Sequence, residues 1–267
     1  MSATAFDTAQ RDKAERFRAL HQALGTFVMP NPWDAGSARL LAGLGFEALA
    51  TSSGAAAGVL GRRDGELSRD EALDHARGIA VATELPVSAD LENGFGDAPA
   101  DAALCVRLAA QAGLVGCSIE DCSGVADRRL YDVDSATERI AAAAQAAREL
   151  PFPFTLTARA ENHLRGNPDL ADTIARLQAY ERAGADVLFA PALPDLEAVR
   201  AVCAALTRPF SFMVGIKGKS FTVAELQAVG VRRISVATSF YRAAMSGLML
   251  AAQEVRQHGS FGYLDRL

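Results

Sequence analysis

Leu85-Pro-Val-Ser-Ala-Asp-Leu-Glu-Asn-Gly-Phe-Gly-Asp97 holds one unit of the plan that the whole chain repeats. Residues 86–89 read as a short strand entered through proline, which a strand tolerates at its first residue. Asp90 and Glu92 follow, Gly94 and Gly96 turn the chain away, and Pro99 sits where a helix begins, a position at which its missing N–H costs nothing. Outward from this stretch the same unit recurs. The pattern predicts strands over 26–29, 46–51, 86–89, 116–120, 154–159, 186–190, 210–214 and 233–237. Capping signals start the helices between them: Asp34, Ser68 with Glu71, and Ser135 with Glu138. Strand and helix alternate at a period of roughly thirty residues, the size of a parallel crossover unit. Eight such units argue for one α/β domain, a closed (β/α)8 TIM-type barrel over 26–238. A helix over 7–24 precedes it, and a closing helix over 239–258 and a tail follow, so that 1–267 is a single domain. An open doubly wound sheet would want a glycine fingerprint after the first strand, and Pro30-Asn-Pro-Trp33 is not one.

Composition agrees. The chain has 267 residues, half of them hydrophobic, which suffices for one large core. Its formal charge is −5, and no Lys/Arg cluster resembles a phosphate-backbone footprint, so nucleic acid is not an expected partner. Residues 1–15 are polar and lack an apolar signal core, and the apolar stretch near the C-terminus is interrupted by Arg242, so no membrane partner is expected either. Cys105, Cys117, Cys122 and Cys203 show no metal-ligand spacing and read as free thiols of a reducing, cytoplasmic setting.

In a barrel of this kind chemistry gathers at the C-terminal ends of the strands. There the sequence places Thr51, Ser52 and Ser53 after the second strand, Asp90 and Glu92 after the third, Glu120 and Asp121 after the fourth, and Arg159 and Glu161 after the fifth. Asp64 joins from the second loop. In an extended backbone the spacing of Asp90 and Glu92 puts both carboxylates on one side. Their repulsion would be offset by a hard, oxygen-preferring cation such as Mg2+. Each feature has a plainer reading: two solvated acids, an ordinary turn, or an Arg159 that merely pairs with Glu161. Gathered at one mouth they read as a site, because charges clustered there without a use would cost stability.

These residues resemble the isocitrate lyase/phosphoenolpyruvate mutase superfamily. The likeness rests on Thr51-Ser-Ser-Gly-Ala-Ala-Ala-Gly-Val-Leu-Gly61, Asp64, Ala89-Asp-Leu-Glu-Asn-Gly-Phe-Gly96, Ile119-Glu-Asp121 and Thr157-Ala-Arg159, in that order and spacing, and runs from Phe17 to the last helix. It implies Mg2+, or Mn2+ in its place, held by Asp90, with Glu92 and Glu120 reaching it mostly through water and Asp64 near it. It implies a small carboxylate substrate bound by the backbone of Thr51, Ser52 and Ser53, and Arg159 at the oxygens of an oxo acid or enolate. Trp33 and Glu161 complete the substrate-binding candidates. It implies a homotetramer that exchanges the last helix between subunits.

Departures from the family pattern bear on the reaction. Family lyases carry Lys-(Lys/Arg)-Cys-Gly-His in the loop after the Ile-Glu-Asp strand, and the Cys is their proton donor. This loop lacks that run; Arg128 stands eight residues after Glu120, and Cys122 comes too early to match. The sixth strand ends in Ala190-Pro191 where the lyases have Glu, and Leu49 replaces an aromatic of the mutases. Within the loop, Tyr131 is the candidate proton donor and Arg128 or Arg129 the candidate for a distal substrate charge; His163 is a further candidate acid or base. Lys217 and Lys219 read as a solvated loop. The expectation is a Mg2+-dependent enzyme acting on a small 2-oxo or 2-hydroxy carboxylate through a pyruvate-like enolate, with C–C lyase chemistry first. The alternatives are a P–C phosphonomutase or phosphonopyruvate hydrolase, and a non-catalytic carboxylate-binding barrel.

Overall fold

The computed structural model describes residues 8–123 and 129–266. Its strands are β1 (Phe27–Met29), β2 (Leu49–Ala50), β3 (Val87–Asp90), β4 (Gly116–Glu120), β5 (Thr155–Arg159), β6 (Val187–Phe189), β7 (Phe210–Met213) and β8 (Arg233–Ser235). They form one parallel sheet in the order β1-β8-β7-β6-β5-β4-β3-β2, an almost closed (β/α)8 barrel. The seam lies between β1 and β2, where Ala50 donates its N–H to the Pro30 carbonyl at 3.0 Å. Asn31 stitches the same seam: its amide donates to the Thr51 carbonyl at 2.9 Å, and its Oδ1 accepts from Val236 N at 2.9 Å.

The helices are α1 (Thr8–Gln22), α2 (Ala35–Gly43), α3 (Ser53–Val59), α4 (Arg69–Ala80), α5 (Pro99–Gln111), α6 (Val133–Arg148), α7 (Leu170–Ala183), α8 (Leu196–Ala205), α9 (Val223–Ala228) and α10 (Ser239–His258). α1 closes the N-terminal end of the barrel. Its Phe17 is fully buried, and a Cβ on Gly116 at the start of β4 would lie 3.1 Å from that ring. Gln10 of α1 also satisfies the carbonyls of Ala110 and Leu114. α5 and α6 bury alanines against one another, small side chains that let two helices approach closely over β4. No helix is long and apolar enough to cross a membrane.

Three local expectations are corrected. The strand expected over 46–51 shrinks to Leu49–Ala50, since Gly45 turns with φ +90° and β2 has a laddered neighbour on one side only. The small-residue stretch after it is helix α3. α6 starts ahead of the expected Ser135 cap, because the Asp132 side chain accepts from Ser135 N at 2.8 Å and caps the helix from outside. By contrast Asp34, Ser68 with Glu71, and Pro99 start α2, α4 and α5 as read from sequence. α10 buries none of its residues and leaves Leu248, Met249 and Leu250 more than half exposed.

Candidate active site

Strand register decides which side chains meet. Asp90 pairs with Ser118, Glu120 with Arg159, and Arg159 with Phe189, so the last residues of β3, β4, β5 and β6 stand near one level. Arg159 is the hub. Its Nη1 donates to Asp90 Oδ1 at 2.8 Å, its Nη2 lies 3.2 Å from Glu120 Oε2, and its Nε and Nη2 donate to Glu161 Oε1 at 3.2 and 2.7 Å. The guanidinium also faces the Phe189 ring with 5.1 Å to its centroid, a cation–π contact. A second arginine backs the first: Arg165 Nη2 lies 2.9 Å from Glu161 Oε2 and 3.7 Å from Glu120 Oε1.

Asp90 is fixed from the other side. Its Oδ2 accepts from Ser53 N at 3.2 Å and Ser53 Oγ at 3.0 Å, its Oδ1 from Ser118 Oγ at 3.3 Å, and its backbone N–H donates to Thr51 Oγ1 at 3.0 Å. Burial works to raise its pKa, but Arg159 and the Ser53 donors outweigh it and hold the carboxyl below its usual range. Glu120 goes the other way. Burial, with Glu161 and Asp90 beside it, pushes its carboxyl well above the usual range despite Arg159. These acids in turn hold the Arg159 guanidinium firmly charged against its own burial. Asp90, Ser118 and Arg159 line a narrow cavity of about 70 Å³ inside the barrel mouth, together with Thr51 and Ser52.

Asp121, one residue on from Glu120, points outward with the alternation of the strand. Its Oδ1 accepts from Glu161 N at 2.8 Å, and its Oδ2 from Tyr180 Oη at 2.6 Å and Arg176 Nη1 at 3.0 Å. It props the loop that carries Glu161.

Several expected roles look different here. Glu161 is completely buried between two arginines and is not part of the barrel-cavity wall, so in this structure it stands behind Arg159 and positions it. Glu92 does not extend β3: its φ is +49°, so the extended-strand argument fails, and it lines a neighbouring cavity with Asn93 and Gly96 while Asp90 faces the barrel. Thr51 and Ser53 are occupied in holding Asp90 and the β2–β3 ladder, whereas the Ser52 hydroxyl has no cap bond and lines the barrel cavity. Trp33 meets Tyr241 of α10 edge-on at 5.7 Å and is not part of that cavity wall. The exposed Asp64 reaches the first turn of α3, where a Cβ on Gly54 would lie 3.4 Å from its carboxyl carbon. Tyr131 donates to Asp97 Oδ1 at 2.5 Å and accepts from Asn93 at 3.0 Å, with the Arg139 guanidinium over its ring. Burial and the Asp97 bond push that phenol up to about 12, the wrong direction for a proton donor. Arg128 lies outside the described residues. Ser118 and Arg165 were missed. Ser118 had a signal, standing two residues before Glu120 and hence on the same face; Arg165 had none, since only the loop's fold brings it back.

With this geometry in place, comparison with known proteins is informative. Residues 17–256 match the family model described as phosphoenolpyruvate phosphomutase. A crystal structure from Burkholderia cenocepacia J2315, provisionally described as a lyase/mutase, superposes with TM-score 0.95 at 52% identity, covering 98% of this chain and 94% of its own. Another from that organism, provisionally described as a phosphonomutase, gives TM-score 0.85 at 38% identity, covering 91% and 99%. The 2-methylisocitrate lyase of Halalkalibacterium halodurans is 27% identical over 94% of this chain and 85% of its own.

Proposed function

The chain belongs to the phosphoenolpyruvate phosphomutase family, within the isocitrate lyase/PEP mutase superfamily of lyases and mutases, and from that premise we propose a Mg2+-dependent C–C lyase acting on a small 2-oxo or 2-hydroxy carboxylate. One observation carries the reading: a buried, fully charged Arg159 at the C-terminal strand ends, shared among Asp90, Glu120 and Glu161 beside a small cavity. Glu161 takes the Nε edge of the planar guanidinium and Glu120 shares Nη2, which leaves Nη1, beyond its bond to Asp90, to meet an oxygen of an oxo acid. Ser52 supplies a hydroxyl for the substrate carboxylate. A cavity of about 70 Å³ keeps the reacting fragment small.

The donor set suits a hard cation. Among the described residues no three carboxylate, His or Cys groups converge as a ready-made metal cage. Asp90 and Glu120 nevertheless crowd one guanidinium, with Glu161 adding a third carboxylate and Glu120 pushed up by burial first and by the neighbouring Glu161 and Asp90 next. Mg2+ typically binds through one or two carboxylates and keeps its waters. In this reading Asp90 holds it directly, and Glu120, Glu92 and Asp64 reach it through water. Bound there, Mg2+ would stabilise negative charge developing on the oxo-acid oxygens. Arg159 adds its charge to the same oxygens, Ser53 and Ser118 keep Asp90 oriented, and Glu161 keeps Arg159 from swinging away.

The same reading makes the protein cytoplasmic, in keeping with its free thiols, and a homo-oligomer. α10 exposes Leu248, Met249 and Leu250 along a helix with no buried residue, an apolar face that a second subunit would cover, in a tetramer by family expectation. Light scattering showing a monomer at micromolar concentration would remove that part.

A turnover panel tests the function: 2-alkylmalates, methylisocitrate, oxaloacetate and phosphonopyruvate, each with Mg2+ and with EDTA. The lyase reading expects metal-dependent release of a 2-oxo acid from a C–C substrate. Turnover of phosphonopyruvate alone would favour P–C chemistry, the reading to which the phosphonomutase-like structure points. No turnover of any member would favour a carboxylate-binding barrel.

A further inference from the structure

The barrel end opposite Asp90 and Arg159 carries another cavity, of about 650 Å³, between α1 and the N-terminal ends of β5 and β6. That volume is ordinary for a small-molecule site. Leu150-Pro-Phe-Pro-Phe154, the segment that leads into β5, lines it; Phe152 and Phe154 are buried beneath, and Leu150, Pro151 and Pro153 give the floor its apolar surface. Around it stand three arginines from three parts of the chain: Arg18 on α1, Arg148 at the end of α6, and Arg208 just before β7. A chain of net charge −5 thus gathers positive charge about one hollow.

Asp186 is the acid on the cavity wall, one carboxylate against three arginines. Burial keeps its carboxyl above the usual range although Arg208 and Arg148 act to lower it, and its Oδ2 already accepts from Leu156 N at 2.9 Å. Arg18 pairs with Glu15, outside the cavity wall. The other two arginines are held in place by their surroundings. The Arg148 guanidinium lies across Gly184, where a Cβ would stand 2.6 Å from Nη1, and its Nη2 donates to Gln145 at 3.3 Å. The backbone carrying Arg208 is pinned to Glu181 Oε1 by Thr207 N, Thr207 Oγ1 and Arg208 N, at 2.9, 2.8 and 2.6 Å.

A further cation stands behind the wall. His21, which lines the cavity, bonds Phe17 O through Nδ1 at 2.8 Å, which leaves Nε2 to accept from Arg233 Nη1 at 3.2 Å. Arg233 is buried, and its other partners are the hydroxyls of Ser211 and Thr157; among the described residues no acid pairs with it, so its charge adds to the positive potential. Guanidiniums in this number suit a multiply charged anion with several acceptor oxygens, and the apolar floor suits a flat organic body.

We propose that this groove is a binding site for an organic phosphate of nucleotide size, with phosphate at Arg148 and Arg208 and its apolar body on residues 150–154. The site is distinct from the catalytic mouth, which lies at the other end of the strands.

Calorimetric titration of the full-length protein tests it, with ATP and with inorganic phosphate as probes, in EDTA so that no metal draws either to Asp90. Both arginine side chains are exposed, so the Arg148→Ala/Arg208→Ala variant is expected to fold, which circular dichroism verifies. The expected result is saturable one-to-one binding of ATP, weakened about tenfold or more in the double variant, the scale of one or two lost charge-assisted hydrogen bonds. Absence of saturable ATP binding to the wild type would overturn the proposal. So would equal affinity in the folded double variant.

Discussion

Replacing Glu161 by Gln separates a positioning role from a substrate-binding one. The side chain is completely buried, with Oε1 at 2.7 and 3.2 Å from Arg159 Nη2 and Nε and Oε2 at 2.9 Å from Arg165 Nη2. The amide has the same shape, so no cavity opens. It can still accept from one arginine, but its NH2 must then face the other, donor against donor. Removing one partner of a buried ion pair costs about 3–5 kcal/mol. Part is returned, because Glu161 also repels Glu120 and that repulsion is relieved. The net expectation is a loss of about 2–3 kcal/mol in unfolding free energy, within the range of broken charge-assisted bonds. Urea unfolding followed by circular dichroism at pH 7.5 measures it, and kinetics on the substrate found in the panel should show kcat falling more than KM rises. A variant of wild-type stability whose KM alone rises would show that Glu161 meets the substrate and that the positioning account is wrong.

His21→Leu is expected to flatten the acid limb of stability. The folded state lowers the pKa of His21 from 6.5 to about 3, through burial first and Arg233 second, so the unfolded chain takes up a proton that the fold refuses. Stability from this group is therefore full above pH 6.5 and lost as pH falls towards 3, by about 2 kcal/mol between pH 7.5 and 5; an unchanged pH slope in the variant would refute the assignment. Arg159→Lys should lose most activity, since a point charge cannot match a planar pair of oxygens while serving three carboxylates, and near-normal kcat/KM would reduce Arg159 to an ion-pair partner. Asp90→Ala should abolish Mg2+ binding in calorimetry without unfolding the barrel, and unchanged affinity would move the metal elsewhere. Tyr131→Phe should lower kcat less than tenfold, because it unties Asp97 and Asn93 without removing an acid; a larger fall would restore the phenol as proton donor.

Short-range chemistry accounts for what could be read without coordinates. A strand bounded by proline, a glycine turn, and a cap such as Asp34 or Ser68 act over a few residues, so the alternation of units, and with it the barrel, was legible from the sequence alone. So was the gathering of Asp90, Glu120 and Arg159 at one barrel end, because each closes a strand. Boundaries were less so at β2, whose length depends on having one laddered neighbour, and at α6, where Asp132 competed with Ser135 for the cap.

The sequence by itself determined which residues stand at the barrel mouth; the tertiary structure decided which of them face one another. Asp90 and Arg159, 69 residues apart, meet only because two strand registers agree, β3 on β4 and β4 on β5. Glu92 lines a neighbouring cavity instead of sharing the Asp90 face, because the backbone turns left-handed at it. Arg165 joins because its loop folds back onto Glu161. Spacing in sequence reports direction only while the backbone stays regular, and the last two outcomes turn on where it ceases to be. The balance of buried charge around Arg159, and the cluster of arginines at the opposite end, are sums over many elements, and such sums exist only once the chain is folded.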